Sequence, residues 1–242
     1  MNEEKKPSRE IVVNNGFLSW LDNFWYHYKW VTLGVLAALI ILLVCLLQTC
    51  STQKADTTVV YAGPTLLSVS ESEQVSRLLG TVLPEDYDKN GETYARLSTY
   101  EIYSEDQIRK ITAETDAAGE RGYVDRSRNT GEYQTFTTYQ QTGESTVYLL
   151  DPWLYESLPE GYLRSVEEVV GYAPEGMLSD GCGVRLGDTA LYREYAVLRL
   201  LPEDTVVCMM APFVWGGSSD EERYAFEEEL YRALVTFGAE DN

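Results

Sequence analysis

Thr146-Val147-Tyr148-Leu149-Leu150, followed at once by Asp151-Pro152, is the stretch on which the fold turns. It is an apolar run of strand length with no polar alternation, the pattern of a strand covered on both faces. Asp151-Pro152 then reads as the cap and first residue of a short helix, WLYESL. A strand with helices on both sides belongs to an α/β domain.

The flanking sequence extends the pattern. Upstream, 132–141 predicts a helix ended by Gly143, although its β-branched threonines are modest helix formers. Downstream, Leu163, Val166, Val169 and Val170 form a second apolar group. Nearer the N-terminus, TTVVY at 57–61 predicts a strand stopped by Ala62-Gly63-Pro64. Ser70 with Glu73 has capping-box spacing, and Val75, Leu78, Leu79 and Val82 make one helical face, stopped by Gly80 and Pro84. A second strand is expected within 93–103, a helix from Ser104 with Gln107 as its capping pair to about Ala117, and a charged loop at 119–129. The five glycines of 171–187 have no phosphate-binding spacing, so 172–193 reads as a structural loop. TVVCMM at 205–210 predicts another strand, and Ser219 with Glu222 opens a last helix closed by Gly238. Glu221, Glu222, Glu227, Glu228 and Glu229 on that helix read mostly as a solvated face. The expectation is a single three-layer α/β domain at 57–242 with a mostly parallel sheet.

Residues 30–47, WVTLGVLAALIILLVCLL, carry no charge, and 12 of the 18 are Val, Leu or Ile. At about 1.5 Å rise per residue they reach about 27 Å, close to the hydrocarbon thickness of a bilayer. They read as a transmembrane helix rather than the buried helix of a soluble core. Before it, 15–29 has apolar residues at helical spacing and predicts an amphipathic helix whose aromatic residues suit the membrane interface or a partner helix. Trp20, Trp25, Tyr28 and Trp30 are the expected membrane contacts. Lys5, Lys6, Arg9 and Lys29 precede the span, whereas Lys54 is the only basic residue between Leu47 and Arg77. That asymmetry keeps the 1–14 tail in the cytoplasm and makes the span an uncleaved signal anchor, with 48–56 as a tether to an extracytoplasmic domain. Gln48-Thr49 before Cys50 fits poorly the small residues of a lipidation signal.

The net charge is −20. Four basic and four acidic residues cancel in residues 1–50, so the whole excess lies beyond the span. Such a domain is repelled by phosphate backbones, which disfavours nucleic acid as a partner. The only histidine, His27, precedes the span, which removes Ser-His-Asp, Cys-His and histidine-zinc chemistry from the later domain. Paired carboxylates remain as the route to a hydrolase, although spacing selects no pair. Asp86-Tyr-Asp88-Lys-Asn90-Gly91 matches the first half of a calcium loop, but its twelfth position is Leu97. Asp86, Asp88 and Asn90 are therefore either a weak calcium site or an Asx-rich turn. Trp153, Tyr155 and Tyr162 are candidate ligand-lining aromatics, or core and interface packing. Cys182 and Cys208 are open to two readings, a disulfide or two free thiols.

The succession YQTFTTYQQTGESTVYLLDPWLYESLPEGYLRSVEEVV, residues 133–170, resembles extracellular solute-binding proteins of the type 2 periplasmic-binding fold. There too a helix ending in glycine precedes a strand, a short helix and a Leu-x-x-Val-like segment. The resemblance covers 57–170 and implies one lobe of that fold. It departs from the family at Ser145-Thr146, where Pro-Asp is usual, and in the 72 residues left after Val170. The anchor with its outer domain also resembles single-pass membrane proteins of Gram-positive bacteria, which implies a location and no activity. Together these readings lead to a membrane-anchored, non-enzymatic binding or interaction module, with an accessory subunit of a membrane complex as its finer form and the lipid bilayer and a membrane protein as partners. A tethered solute-binding-like module for a transporter is the alternative, and a carboxylate-dependent hydrolase the remote one.

Overall fold

The computed structural model describes residues 16–50, 54–114, 121–212 and 221–238. The chain divides into two compact units, one ending at Gln53 and the other beginning at Lys54. The 1–14 tail and Ser219 of the last capping pair lie outside the described residues, whereas the helix expected to reach about Ala117 ends at Ala113, because the backbone turns extended at Glu114.

The described residues of the first unit form a single helix, α1 (Gly16–Cys50). The amphipathic and apolar segments are thus continuous: neither Lys29 nor the lone Gly34 interrupts the backbone ladder, and no proline lies between them. Within it, Phe24–Cys45 is a 22-residue stretch long and apolar enough to cross a membrane, with none of its window buried. A membrane anchor and a signal sequence both have this form.

The second unit runs β1 (Thr57–Gly63), α2 (Val69–Val82), β2 (Ala95–Glu101), α3 (Glu105–Ala113), α4 (Arg126–Thr142), β3 (Val147–Leu150), α5 (Pro152–Glu156), α6 (Val166–Val170), β4 (Gly183–Arg185), α7 (Ala190–Glu194), β5 (Val206–Met209) and α8 (Glu221–Val235). One five-stranded sheet has the order β2-β1-β3-β5-β4. The pairs β1–β2 and β1–β3 are parallel, whereas β3–β5 and β4–β5 are antiparallel. The sheet is therefore mixed, not mostly parallel. An apolar run such as TVVCMM carries no directional information, because both ladder types bury it equally.

Alternation along each strand divides the interior in two. Val59, Tyr61, Val147, Leu149, Val207 and Met209 pack with Val75 and Leu79 of α2 and Leu230 and Leu234 of α8. Val60, Ala62, Tyr148, Leu150 and Cys208 pack instead with Phe136 of α4 and Leu154 of α5. Helices thus cover both sheet faces, the expected three layers.

Local signals placed some boundaries and misplaced others. Ser104 and Gln107 form the expected capping box on α3. On α2 the box is Ser68 with Glu71, not Ser70 with Glu73. Both pairs have the same spacing, and only the first satisfies the Ser68 backbone N–H. Helix α4 starts six residues earlier than expected because Asp125 accepts from Ser127 N and Arg128 N, and it ends as expected at Gly143 in the left-handed region (φ 65°). The glycine-rich stretch is not simply a loop, since it holds β4 and α7. Gly183 is required in β4 because a Cβ there would lie 2.5 Å from Val206 Cγ1.

Candidate functional site

The parallel strands β1, β2 and β3 bring their carboxyl ends together, and adjacent β1 and β3 send the chain on to opposite faces through α2 and α5. This is the crevice at which open α/β sheets commonly bind ligands. Here a side chain of the protein occupies part of it. The Tyr61 hydroxyl accepts from Thr65 N at 3.2 Å, and a Cβ at Gly63 would come within 2.6 Å of that hydroxyl. Beside it Asp151, only 7% exposed, caps α5 through Trp153 N at 3.1 Å and accepts from Gln107 Nε2 at 2.9 Å. Burial pushes its carboxyl above the ordinary range, against the lowering effect of these two donors. Gln107 also caps Ser104 N through Oε1, so one amide links α3 to the end of β3.

Open clefts lie around this plugged crevice. One of 270 Å³ is bordered by Glu101, Tyr103, Arg128 and Asn129. Asn129 pairs reciprocally with the backbone of Tyr103, and Tyr103 donates to Glu101 at 2.8 Å. Burial and then the Glu101 carboxylate hold the Tyr103 phenol up at about 12. A second cleft, of 360 Å³, gathers Glu156, Asp180 and Asp204 with Arg185. The third, of 220 Å³, lies between α4 and the segment following α5, and none of the described residues that line it is charged.

The aromatic candidates separate among these clefts. Tyr162 lines the uncharged one with Tyr133 and Phe136. Trp153 stacks on Tyr133 with ring centroids 6.3 Å apart and planes at 20°, and its Nε1 is buried with no partner among the described residues. Tyr155 lines the acidic cleft and donates to Asp180 at 2.8 Å. Residues two apart on a helix point to opposite sides, so Trp153 and Tyr155 serve different surroundings.

The acidic turn gains a member that sequence spacing did not show. Asp56, only 4% exposed, joins Asp86 and Asp88 in a cluster in which one oxygen of each lies within 4.8 Å of the others. Such an all-oxygen set suits a hard cation such as calcium, but the backbone already supplies donors. Asp56 accepts from Asp88 N at 3.1 Å and Tyr94 N at 2.8 Å, and Asp86 from Asn90 N at 3.2 Å and Gly91 N at 2.6 Å. The Gly91 bond chiefly holds the Asp86 carboxyl below its ordinary range. Asn90 accepts from Glu92 N at 2.9 Å and so braces the same turn. Leu97, at the position where a calcium loop has its closing glutamate, is buried in the core.

On α1, Trp20 stacks on Phe24 at 5.6 Å and Phe24 on Tyr28 at 5.3 Å. These residues, with Trp25 and Trp30, are exposed.

Sequence reasoning missed Tyr133, Gln140 and Asp56. For the first two a signal exists: Tyr133–Gly143 is an uncharged run in a strongly acidic region. Asp56 had none, because its partners lie 32 and 38 residues away.

Comparison with protein-family models, curated proteins and solved structures gives no match for this chain. The resemblance to solute-binding proteins therefore gains no support from them.

Proposed function

We propose that this protein is a membrane-anchored binding or interaction module. In this reading α1 is a retained signal anchor with its N-terminus in the cytoplasm, and the α/β domain works on the outer side of the membrane as an accessory part of a membrane complex. The observation that carries the reading is the exposed apolar stretch Phe24–Cys45. Exposing a surface of that length to water has a large hydrophobic cost, which a bilayer removes. The basic residues before the stretch favour the stated orientation. Trp20, Trp25, Tyr28 and Trp30 would form the aromatic belt on the inner side. A transporter-feeding, solute-binding-like role is the weaker reading, because it calls for a cleft between two lobes and the described residues of the domain form one sheet.

The test is protease treatment of intact cells carrying an N-terminal epitope, with the mass of the mature chain measured in parallel. The expected result is digestion of the domain from outside, a protected N-terminal epitope and an uncleaved chain. A protected domain would overturn the orientation, and a chain cut after α1 would identify a signal sequence instead of an anchor.

A further inference from the structure

We infer that the uncharged cleft between α4 and the segment after α5 is a binding site for a neutral saccharide. The inference rests on reading the domain as a binding module and adds the class of its ligand. In a chain of net charge −20, the described residues that line the 220 Å³ cleft are Tyr, Phe, Leu, Pro, Thr, Ser and Gln. The neighbouring clefts differ, each carrying acidic side chains and arginine. A cationic ligand would be drawn to those clefts, and an anionic one repelled by the domain as a whole. What remains for an uncharged cleft is a neutral ligand.

Two features identify its chemistry. First, Tyr133 of α4 and Tyr162 of the segment after α5 both line the cleft, and Trp153 stacks on Tyr133. Such rings suit a ligand with an apolar face and polar edges. Second, Gln140 lines the cleft, and its Nε2 is buried without a hydrogen-bond partner among the described residues, so a turn of the amide would bring this donor to a ligand. A buried amide donor left unpaired costs stability, and a ligand acceptor would satisfy it. Gln140 and Gln141 each carry both donors and an acceptor, which matches hydroxyl groups that do both. A sugar ring offers an apolar C–H face and a rim of hydroxyls, and the cleft volume suits one ring. The walls are a helix and a turn, with no unpaired sheet edge for an extended peptide to join.

The test uses the full-length chain in detergent, titrated by calorimetry with maltohexaose, cellohexaose and triacetylchitotriose, and with a polyproline peptide as the competing class. Saccharide binding is expected, weakened at least tenfold by Gln140→Ala and by Tyr162→Ala, less by Tyr162→Phe, and unchanged by Glu175→Ala outside the cleft. Thermal melts accompany each variant, and saccharide-dependent saturation-transfer signals from tyrosine protons provide a readout in the unaltered chain. Absence of saccharide binding at millimolar concentration, binding of the peptide alone, or binding that survives both alanine substitutions would overturn the inference. Detergent removes sidedness, so a chain that binds sugar yet keeps its domain inside the cell would overturn the proposed orientation and leave this inference standing.

Discussion

Glu227 on α8 accepts from both the backbone N and the hydroxyl of Thr146, at 2.9 and 2.6 Å, immediately before the central strand β3. Its other oxygen accepts from Thr57 Oγ1 at 2.8 Å and Arg223 Nε at 3.2 Å. The carboxylate is 2% exposed, so the residue is no part of a solvated face. It fastens the last helix across the starts of β1 and β3. Glu227→Ala leaves these donors without their acceptor and is expected to cost about 1–3 kcal/mol for each buried donor stranded; Arg223, partly exposed, adds little. Glu227→Gln keeps an acceptor and should cost less. Urea unfolding followed by circular dichroism measures both, and equal losses would refute the donor count.

Asp151 should imprint a pH dependence on stability. Its carboxyl is raised, chiefly by burial, so the folded chain keeps this proton at pH values where the unfolded chain has lost it. The contribution is complete below the ordinary value of about 3.9 and is lost as pH rises through the higher folded value. The stability of the wild type minus that of Asp151→Asn should therefore fall with rising pH across the carboxylate range. A flat difference would show that the folded and unfolded carboxyls titrate alike.

The cysteines should differ in reactivity. Both Cys182 and Cys208 are free; Cys208 is 0% exposed, and burial pushes its thiol well up. The thiolate is the reactive form. In a chain with Cys45 and Cys50 replaced by serine, a maleimide should label Cys182 alone until denaturant is added, as read by peptide mass spectrometry. Labelling of Cys208 at the same rate in the native chain would contradict the burial.

Asp56→Ala strands two backbone donors, Asp88 N and Tyr94 N, and is expected to cost about 1–3 kcal/mol. The cost should be equal in EDTA and in millimolar calcium if backbone amides are the carboxylate's working partners. A cost that grows with calcium would show that the turn also holds a cation.

Features set by neighbours in the chain could be read from the sequence. The charge-free run of 30–47 lies in one apolar helix, the apolar runs TTVVY, TVYLL and TVVCMM hold strands, and the capping box at Ser104 and Gln107 and the stop at Gly143 formed as expected; all are short-range features. Where two local solutions compete, as Ser68 and Ser70 do for the start of α2, sequence spacing could not choose between them.

Everything that depends on which strand lies beside which was decided by the tertiary structure. The direction of β5 makes the sheet mixed. The docking of α8 buries Glu227 while leaving Glu221, Glu222 and Glu229 outside. The approach of residue 56 to the turn at 86–91 adds a third carboxylate, and the placement of α4 turns a run of threonines, tyrosines and glutamines into the wall of a cleft. The physical reason is the same in each case. Periodicity and capping act over one or two helical turns, whereas a buried charge, a strand's direction and a cleft's lining are set by partners tens of residues away.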